Sequence, residues 1–88
     1  MITTYLLYSP SFDKIYIDQT EDIKRRLSEH NNGLLSKYTK RYIPWEIIYK
    51  EEFESRSEAM KREKELKSQK GREYIWQLLN GGVRQLTD

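Results

Sequence analysis

The sequence contains no cysteine, two prolines, four glycines and a single histidine. Without cysteine the chain has no disulfide bond, no disulfide-linked partner and no thiolate metal site, and one histidine cannot complete the usual zinc ligand sets. No apolar run is long enough to span a bilayer, and no basic stretch precedes the first apolar residues. We therefore expect neither a membrane helix nor a signal peptide, and a cytoplasmic location fits the absence of cysteine.

Two common site types are also missing. No glycine-rich phosphate loop precedes a helix, and no serine lies in a nucleophile elbow. The 88 residues suffice for one domain with one core. We place that domain at residues 1–82 and expect residues 83–88 to form a frayed C-terminal tail.

Basic residues are concentrated in two blocks, residues 24–41 and 61–72, with an acidic stretch between them. Such blocks suit a polyanionic partner. Solvated faces of small domains look the same, and charge alone favours that plainer interpretation. The candidates for nucleic-acid contact are Lys24, Arg25, Lys37, Lys40 and Arg41.

The first twenty residues predict a β-hairpin. Residues 3–9 and 14–19 are rich in strand-forming residues, and a proline-containing turn separates them. If Ser9 faces Lys14, alternation of side chains places Tyr5, Tyr16 and Asp18 together on one face. The opposite face is then apolar, with Leu6, Tyr8, Ile15 and Ile17.

A first helix is predicted to follow the hairpin, with Thr20 as its N-cap and Asn31-Asn32-Gly33 at its end. Positions 23, 26, 27 and 30 share one stripe of this helix. Arg26 and His30 are therefore directed toward the core, one turn apart. Residues 34–43 are interpreted as a polar, basic connection.

The second half of the chain predicts a strand over residues 44–53 and then two helices. The first helix begins at a capping box, Ser55 to Glu58, and runs to about Gln69; Lys70-Gly71 breaks the pattern. The last helix ends at Gly81-Gly82. The elements together predict an α+β domain with a small three-stranded, mainly antiparallel sheet flanked by helices.

Polar residues in core-facing positions are candidates for a site, but each has an ordinary explanation. Tyr5 and Tyr16 could simply pack in the sheet. Arg26 could extend along Leu27 to water. His30 could contact the last carbonyls of its helix.

Glu63 is harder to explain as a structural residue. It falls within the apolar stripe of its helix, between Ala59, Met60 and Leu66. A carboxylate in that position needs a partner or a metal ion. Lys67, one turn later, is a possible partner, so both interpretations remain open.

These positions resemble the GIY-YIG nuclease family, in particular its small single-domain members, over residues 3–76. Tyr5-Leu6-Leu7 stands where the first motif is expected, and Tyr16-Ile17-Asp18 stands where Tyr-Ile-Gly is expected. Residues 20–31 resemble the family's first helix, with its arginine and histidine, and residues 55–67 resemble the helix with the metal-binding glutamate. Further similar segments are Lys37-Tyr38-Thr39, Pro44-Trp45 and Gly71-Arg72-Glu73.

The resemblance implies hydrolysis of DNA phosphodiester bonds that depends on Mg²⁺ or Mn²⁺, with structured or damaged DNA as the substrate. Glu63 would hold the metal, and Tyr16 or Tyr5 would position or deprotonate the attacking water. Arg26 would stabilise charge on the phosphate, and His30 would carry a proton or orient a neighbour. An ordinary tyrosine, with a pKa near ~10, needs help from a nearby cation to act as a base.

Two departures from the family pattern bear on activity. Asp18 replaces the glycine of the second motif, and the asparagine expected beyond the metal-binding helix has no clear counterpart in Ser68-Gln69 or Lys70. Asp18 would raise the tyrosine pKa and repel phosphate, or it could serve as a second metal ligand. The alternatives are therefore a nucleic-acid-binding module without cleavage and a protein-interaction domain. The sequence does not fix the oligomeric state.

Overall fold

The computed structural model describes the backbone of residues 1–87 and the side chains of residues 1–79. Within residues 1–87, three strands and four helices form an α+β fold, and this fold class is the predicted one. They are β1 (Ile2–Ser9), β2 (Lys14–Thr20), α1 (Ile23–Asn31), α2 (Lys37–Arg41), β3 (Glu46–Phe53), α3 (Arg56–Lys67) and α4 (Gln69–Thr87). The strand order is β2-β1-β3, and both pairings are antiparallel.

The register of the β1–β2 hairpin is the predicted one. Ser9 faces Lys14, and Tyr5 faces Asp18. The turn closes through the backbone N–H of Asp13, which donates to the Ser9 carbonyl at 2.7 Å. Asp13 has a φ of 56°, a left-handed conformation that aspartate adopts more readily than most residues. The turn thus fixes which side chains share a face.

Both faces of the sheet are covered. On one face Leu6 and Ile17 pack with Leu66 of α3 and Ile75 of α4. On the other face, side chains of β1 and α1 pack around Trp45, and this second cluster comprises Tyr5, Leu7, Tyr16, Ile23 and Leu27. Since β1 is the central strand, its consecutive apolar residues are buried on opposite sides. In the described part of the chain, β2 has no strand on its outer side.

Helix α1 does not begin as predicted. Its N-cap is Asp22, whose side chain accepts the Arg25 N–H at 3.0 Å, rather than Thr20. Thr20 pairs with Thr3 as the last residue of β2, and its hydroxyl accepts the Asp22 N–H at 3.1 Å. The ladder therefore keeps the backbone of Thr20 extended. The helix end agrees with the prediction, because Asn32 is the C-cap and Gly33 has a φ of 71°.

The predicted connection over residues 34–43 contains a short helix, α2. Ser36 is its N-cap and accepts the Thr39 N–H at 3.2 Å. Five residues are too few to show a helical period, so the sequence pattern did not reveal this helix.

The helix ends in the C-terminal part differ from the prediction. Helix α3 begins after Ser55, as expected, but the break falls at Ser68, whose ψ is 169°. Gly71 lies inside α4, where its missing side chain lets the first turn pass close to the carbonyls that end α3. The predicted end at Gly81-Gly82 is wrong, since α4 continues to Thr87. The domain boundary at residue 82 and the frayed tail remain predictions.

Candidate active site

Tyr5 and His30 form the buried part of the candidate site. Tyr5 lies in the middle of β1, and His30 lies in the last turn of α1. Both are fully buried, and the Tyr5 hydroxyl shares a hydrogen bond of 3.1 Å with Nε2 of His30. The Nδ1 atom of His30 is buried without a hydrogen-bond partner among the described side chains. The imidazole is therefore anchored through Nε2 alone among the described side chains.

Tyr16, Asp18 and Arg26 form the part of the site that faces solvent. The hydroxyl of Tyr16 donates to Oδ2 of Asp18 at 3.0 Å. Nη1 of Arg26 lies 3.7 Å from the same oxygen. The side chains of Arg26 and Asp18 are 28% and 29% exposed, respectively. Oδ1 of Asp18 accepts the backbone N–H of Gln19 at 2.7 Å. The carboxylate is thus held between a phenol and a guanidinium.

The two parts of the site are in contact through the ring of Tyr16. Its centroid lies 5.0 Å from that of His30, at an interplanar angle of 66°. The corresponding distance between Tyr5 and His30 is 6.0 Å. The structure therefore brings four of the predicted residues together on the α1 side of the sheet, with Asp18 beside them.

Burial and charge shift the proton affinities of these groups. Burial, followed by the charge and the hydrogen bond of Asp18, raises the pKa of Tyr16 to about 12. Burial is also the largest cause of the raised pKa of Tyr5, with Asp18 second. Burial and then Arg26 lower the pKa of His30. At neutral pH both phenols are protonated and the imidazole is neutral.

Glu63 reaches the site from the other side of the sheet. Its Oε1 atom accepts a hydrogen bond from Nε2 of Gln19 at 3.2 Å, and its Oε2 atom lies 2.7 Å from Nζ of Lys67. Gln19 follows Asp18 in β2, so their side chains leave opposite faces of the strand. From the roles that the resemblance implies, Glu63 should share one pocket with the two phenols, Arg26 and His30. Instead, Glu63 lies across the β2 edge from the phenols.

The two sides of this edge are nevertheless electrostatically coupled. The charge of Glu63 is one of the smaller causes that raise the pKa of Tyr16. The side chain of Glu63 is 17% exposed, so it retains access to solvent. The structural partner proposed from the sequence, Lys67, is present and forms an ion pair with this carboxylate.

Glu63 has the donor chemistry that a hard divalent cation requires. No group of three or more acidic, histidine or cysteine side chains suited to a metal occurs within residues 1–79. A Mg²⁺ site nevertheless needs only one or two carboxylates, because water and substrate phosphate supply the remaining oxygens. Each carboxylate oxygen accepts more than one contact, so Glu63 could keep its bond from Gln19. The carboxylate of Glu63, with Gln19 beside it, therefore fits a divalent cation such as Mg²⁺.

The predicted nucleic-acid contacts lie on α1 and α2. All five side chains are exposed: Lys24, Arg25, Lys37, Lys40 and Arg41. Arg25 approaches Glu29 at 3.9 Å, a distance at which an exposed pair contributes little. Their role as phosphate contacts remains a prediction.

Tyr38 and Gln19 belong to the site region although the sequence interpretation gave them no role. The ring centroid of Tyr38 lies 6.2 Å from those of both Tyr16 and Trp45. The indole Nε1–H of Trp45 donates to the Thr39 carbonyl at 2.8 Å, which fixes α2 against the sheet. The family-like segment Lys37-Tyr38-Thr39 was the available signal for Tyr38, and nothing in the sequence indicated Gln19.

The family of the GIY-YIG catalytic domain matches residues 1–77. The chain belongs to the GIY-YIG family. Because of this match, the chain has a nuclease-like fold. GIY-YIG nuclease domains are generally metal-dependent and generally act on nucleic acids. No described helix is both long and apolar enough to cross a membrane.

Relatives of this GIY-YIG domain are UPF0213 proteins, a designation that states no activity. A UPF0213 protein of Staphylococcus saprophyticus is 44% identical over 54 residues, which cover 61% of this chain and 66% of that protein. One from Natronomonas pharaonis is 41% identical over 56 residues, covering 64% and 66%. The chain thus spans about two thirds of the length of these curated relatives.

The fold is also similar to a solved structure. The solution NMR structure of a UPF0213 protein from Bacillus halodurans is 31% identical to this chain. The match covers 99% of this chain and 94% of that one, with a TM-score of 0.52. The predicted fold and family are thereby confirmed.

Proposed function

We propose that this GIY-YIG domain is a metal-dependent endonuclease that hydrolyses phosphodiester bonds in structured or damaged DNA. The observation that carries this proposal is the pairing of Tyr16 and Arg26 around one oxygen of Asp18. A phenol and a guanidinium that converge on one anionic oxygen form an arrangement suited to a phosphate.

Burial decides between the two tyrosines as the group that contacts the attacking water. Tyr5 is fully buried, whereas Tyr16 is partly exposed at the β2 edge. Tyr16 therefore orients the water, and Arg26 stabilises the charge that develops on the phosphate. The resemblance left Tyr16 and Tyr5 as alternatives for contact with the attacking water, and burial favours Tyr16.

Tyr5 and His30 support Tyr16 from behind. The neutral imidazole contacts the Tyr16 ring and shares a hydrogen bond with the Tyr5 hydroxyl. His30 thereby fixes the ring of Tyr16 and offers a nitrogen that can accept a proton. Since both residues are buried, they are positioning and proton-holding residues that do not contact DNA.

Glu63 would hold Mg²⁺ or Mn²⁺ at the β2 edge, oriented by Gln19 and Lys67. When bound, such an ion stabilises negative charge on the phosphate and on the leaving oxygen. The exposed lysines and arginines of α1 and α2 would contact neighbouring phosphates. The cytoplasmic location remains a prediction, and cleavage of damaged DNA would imply a role in DNA repair.

Asp18 supports a second candidate function, a DNA-binding module with weak or no cleavage. Its carboxylate accepts the Tyr16 hydroxyl and lies beside Arg26, so it competes with phosphate for both groups. It also raises the pKa of Tyr16, which makes the phenol a poorer base. A metal ion that also binds Asp18 would relieve this competition.

Plasmid nicking with and without a chelator tests the proposed function. The wild type should convert supercoiled DNA to open circles only when Mg²⁺ or Mn²⁺ is present, and Glu63→Ala should abolish this conversion. Glu65→Ala is the matched control, since it removes a more exposed carboxylate of α3 that pairs with Arg62. Equal nicking by wild type and Glu63→Ala would refute the assignment. DNA binding without nicking by the wild type would support the second function.

A further inference from the structure

A cavity of about 340 Å³ lies at the free edge of β2, next to the Tyr16 side of the site. It is lined by Ile15, Tyr16, Ile17, Tyr38, Lys67 and Arg72. Its lining comes from both sides of the sheet, because Tyr38 belongs to α2 whereas Lys67 and Arg72 belong to α3 and α4. Its volume lies in the range of small-ligand sites.

Tyr38 provides a fixed aromatic wall for this cavity. Its hydroxyl donates to the carbonyl of Ile15 at 3.2 Å, which ties the ring to the strand edge. The ring is inclined by 32° to that of Tyr16 and packs edge-on against Tyr42, with centroids 5.1 Å apart. Tyr38 is nevertheless 43% exposed. A fixed but exposed aromatic face is suited to stacking with a planar ligand.

The other wall of the cavity is basic. Lys67 is engaged by Glu63 at 2.7 Å, whereas none of the ion pairs within residues 1–79 involves Arg72. The positive charge of Arg72 acts on Tyr38, because it opposes the rise that burial and Tyr42 cause in the pKa of that phenol. An arginine that forms no ion pair within the described side chains, and lies beside an aromatic face, suits an anionic planar ligand.

We infer that this cavity is a subsite for one unpaired nucleotide of DNA, with its base stacked on Tyr38 and its phosphate at Arg72. The inference rests on the proposed function, since it assigns this nucleotide to the strand whose phosphate meets Tyr16 and Arg26. A base in a duplex is stacked on both faces, so it must leave the stack before it can enter the cavity beside β2 and lie on Tyr38. The preferred substrates are therefore DNA strands with an unpaired nucleotide beside the cleaved bond.

Binding measurements in chelator test this subsite independently of cleavage. The probe is a single-stranded oligonucleotide with one 2-aminopurine, whose fluorescence is quenched when its base stacks. Wild type should quench the probe and bind it more tightly than the matching duplex. Tyr38→Ala should bind it roughly tenfold or more weakly and lose the quenching, because stacking on an aromatic side chain is lost.

Two conservative variants separate stacking from folding and from total charge. Tyr38→Phe keeps the ring and loses only the bond to Ile15, so quenching should persist. Arg72→Gln should reduce the slope of log affinity against log salt by about one. Lys61→Gln makes an equal change of charge outside the cavity, and it should leave quenching unchanged. Thermal melting establishes that each variant is folded.

The results that would refute the subsite differ from those that would refute the nuclease activity. Equal quenching by wild type and a folded Tyr38→Ala variant would overturn the subsite even if the wild type nicks plasmid DNA. Tight binding with Tyr38-dependent quenching but no metal-dependent nicking would keep the subsite and refute the nuclease. Equal affinity for single strands and duplex would also overturn the inference.

Discussion

The hydroxyl of Tyr16 donates a hydrogen bond to Oδ2 of Asp18, 3.0 Å away and two residues further along the same face of β2. This contact places a negative charge beside the phenol that the proposed mechanism uses to orient water. It also occupies a hydrogen-bond donor that a phosphate would otherwise use. The balance between cleavage and binding therefore depends on one residue.

Replacement of Asp18 by glycine should lower the pKa of Tyr16 and raise nicking. Burial would still keep that pKa above the ordinary value of 10.0, but the charge and the hydrogen bond of Asp18 would be gone. The substitution also frees the Tyr16 hydroxyl and Arg26 to meet water and phosphate, so we expect nicking to rise. Tyrosinate absorbance against pH and nicking rates measure the two effects.

Asp13→Gly is the matched control for that variant. The carboxylate of Asp13 accepts the Tyr8 hydroxyl at 2.7 Å, and its positive φ is one that glycine adopts readily. This substitution should lower the pKa of Tyr8 and leave that of Tyr16 and the nicking rate unchanged. If Asp18→Gly is no more active than Asp13→Gly, Asp18 does not restrain the site.

Stability should decline in the alkaline range because of Tyr16. Its pKa is about 12 in the folded protein and near the ordinary 10.0 when unfolded. Between these values the folded state binds a proton that the unfolded state has lost, so the free energy of unfolding decreases as pH rises. This contribution is complete below pH ~10 and is lost as the pH passes through ~12.

Urea unfolding at a series of pH values measures this dependence. Tyr16→Phe removes the titrating group and should flatten the decline between pH ~10 and ~12. The buried Tyr5 contributes in the same direction and should leave a residual slope. An unchanged slope in Tyr16→Phe would show that this phenol titrates normally.

Tyr5→Phe should destabilise the fold through His30 rather than through lost packing. The substitution keeps the ring and removes the hydroxyl that shares the 3.1 Å bond with Nε2 of His30. Both ring nitrogens of this buried histidine would then lack a partner, which costs about 1–3 kcal/mol. Urea unfolding at pH 7 measures the change in the free energy of unfolding.

Tyr8→Phe provides the comparison, since it removes a hydroxyl from an exposed bond to Asp13. It should change stability by less than about 0.5 kcal/mol. Equal effects of the two variants would mean that the Tyr5–His30 bond contributes nothing particular to the fold.

Gly71→Ala should destabilise the protein, although alanine usually stabilises a helix by roughly 0.5–1 kcal/mol relative to glycine. A Cβ at this position would overlap the backbone carbonyls of Glu65 and Leu66 at the end of α3. Because neither carbonyl can move without disturbing the junction with α4, we expect a loss of about 1–3 kcal/mol. Lys70→Ala, an exposed neighbour, should change stability little, and a stabilised Gly71→Ala variant would contradict the close approach.

The local parts of the fold were predictable from the sequence. Alternation of side chains set the register that places Tyr5 opposite Asp18, and the Ser55 cap marked the start of α3. Helix α2 was missed because its five residues cannot show a period, and Thr20 was wrongly chosen as a cap because pairing with Thr3 holds it in the sheet. The Ser55 cap depends on a hydrogen bond between neighbouring residues, so the sequence reveals it. The conformation of Thr20 depends instead on its pairing with Thr3, which is distant in the sequence.

The candidate site was predictable in composition but not in arrangement. Helical spacing placed Arg26 and His30 on one stripe, and the structure brings them beside Tyr16 and Tyr5. The position of Glu63 depends on how α3 crosses the sheet, which no spacing within the chain determines. Its link to the β2 edge through Gln19 is likewise visible only after folding.

The central claim is that Glu63 and Tyr16 act on one metal-dependent site from opposite faces of the β2 edge. Paramagnetic broadening of NMR signals by Mn²⁺ in the DNA-free protein tests it most directly. Wild type should lose the Gln19 side-chain amide and Tyr16 ring signals first as Mn²⁺ is added, and Glu63→Gln should retain both. Broadening centred elsewhere, or unchanged by Glu63→Gln, would contradict the account.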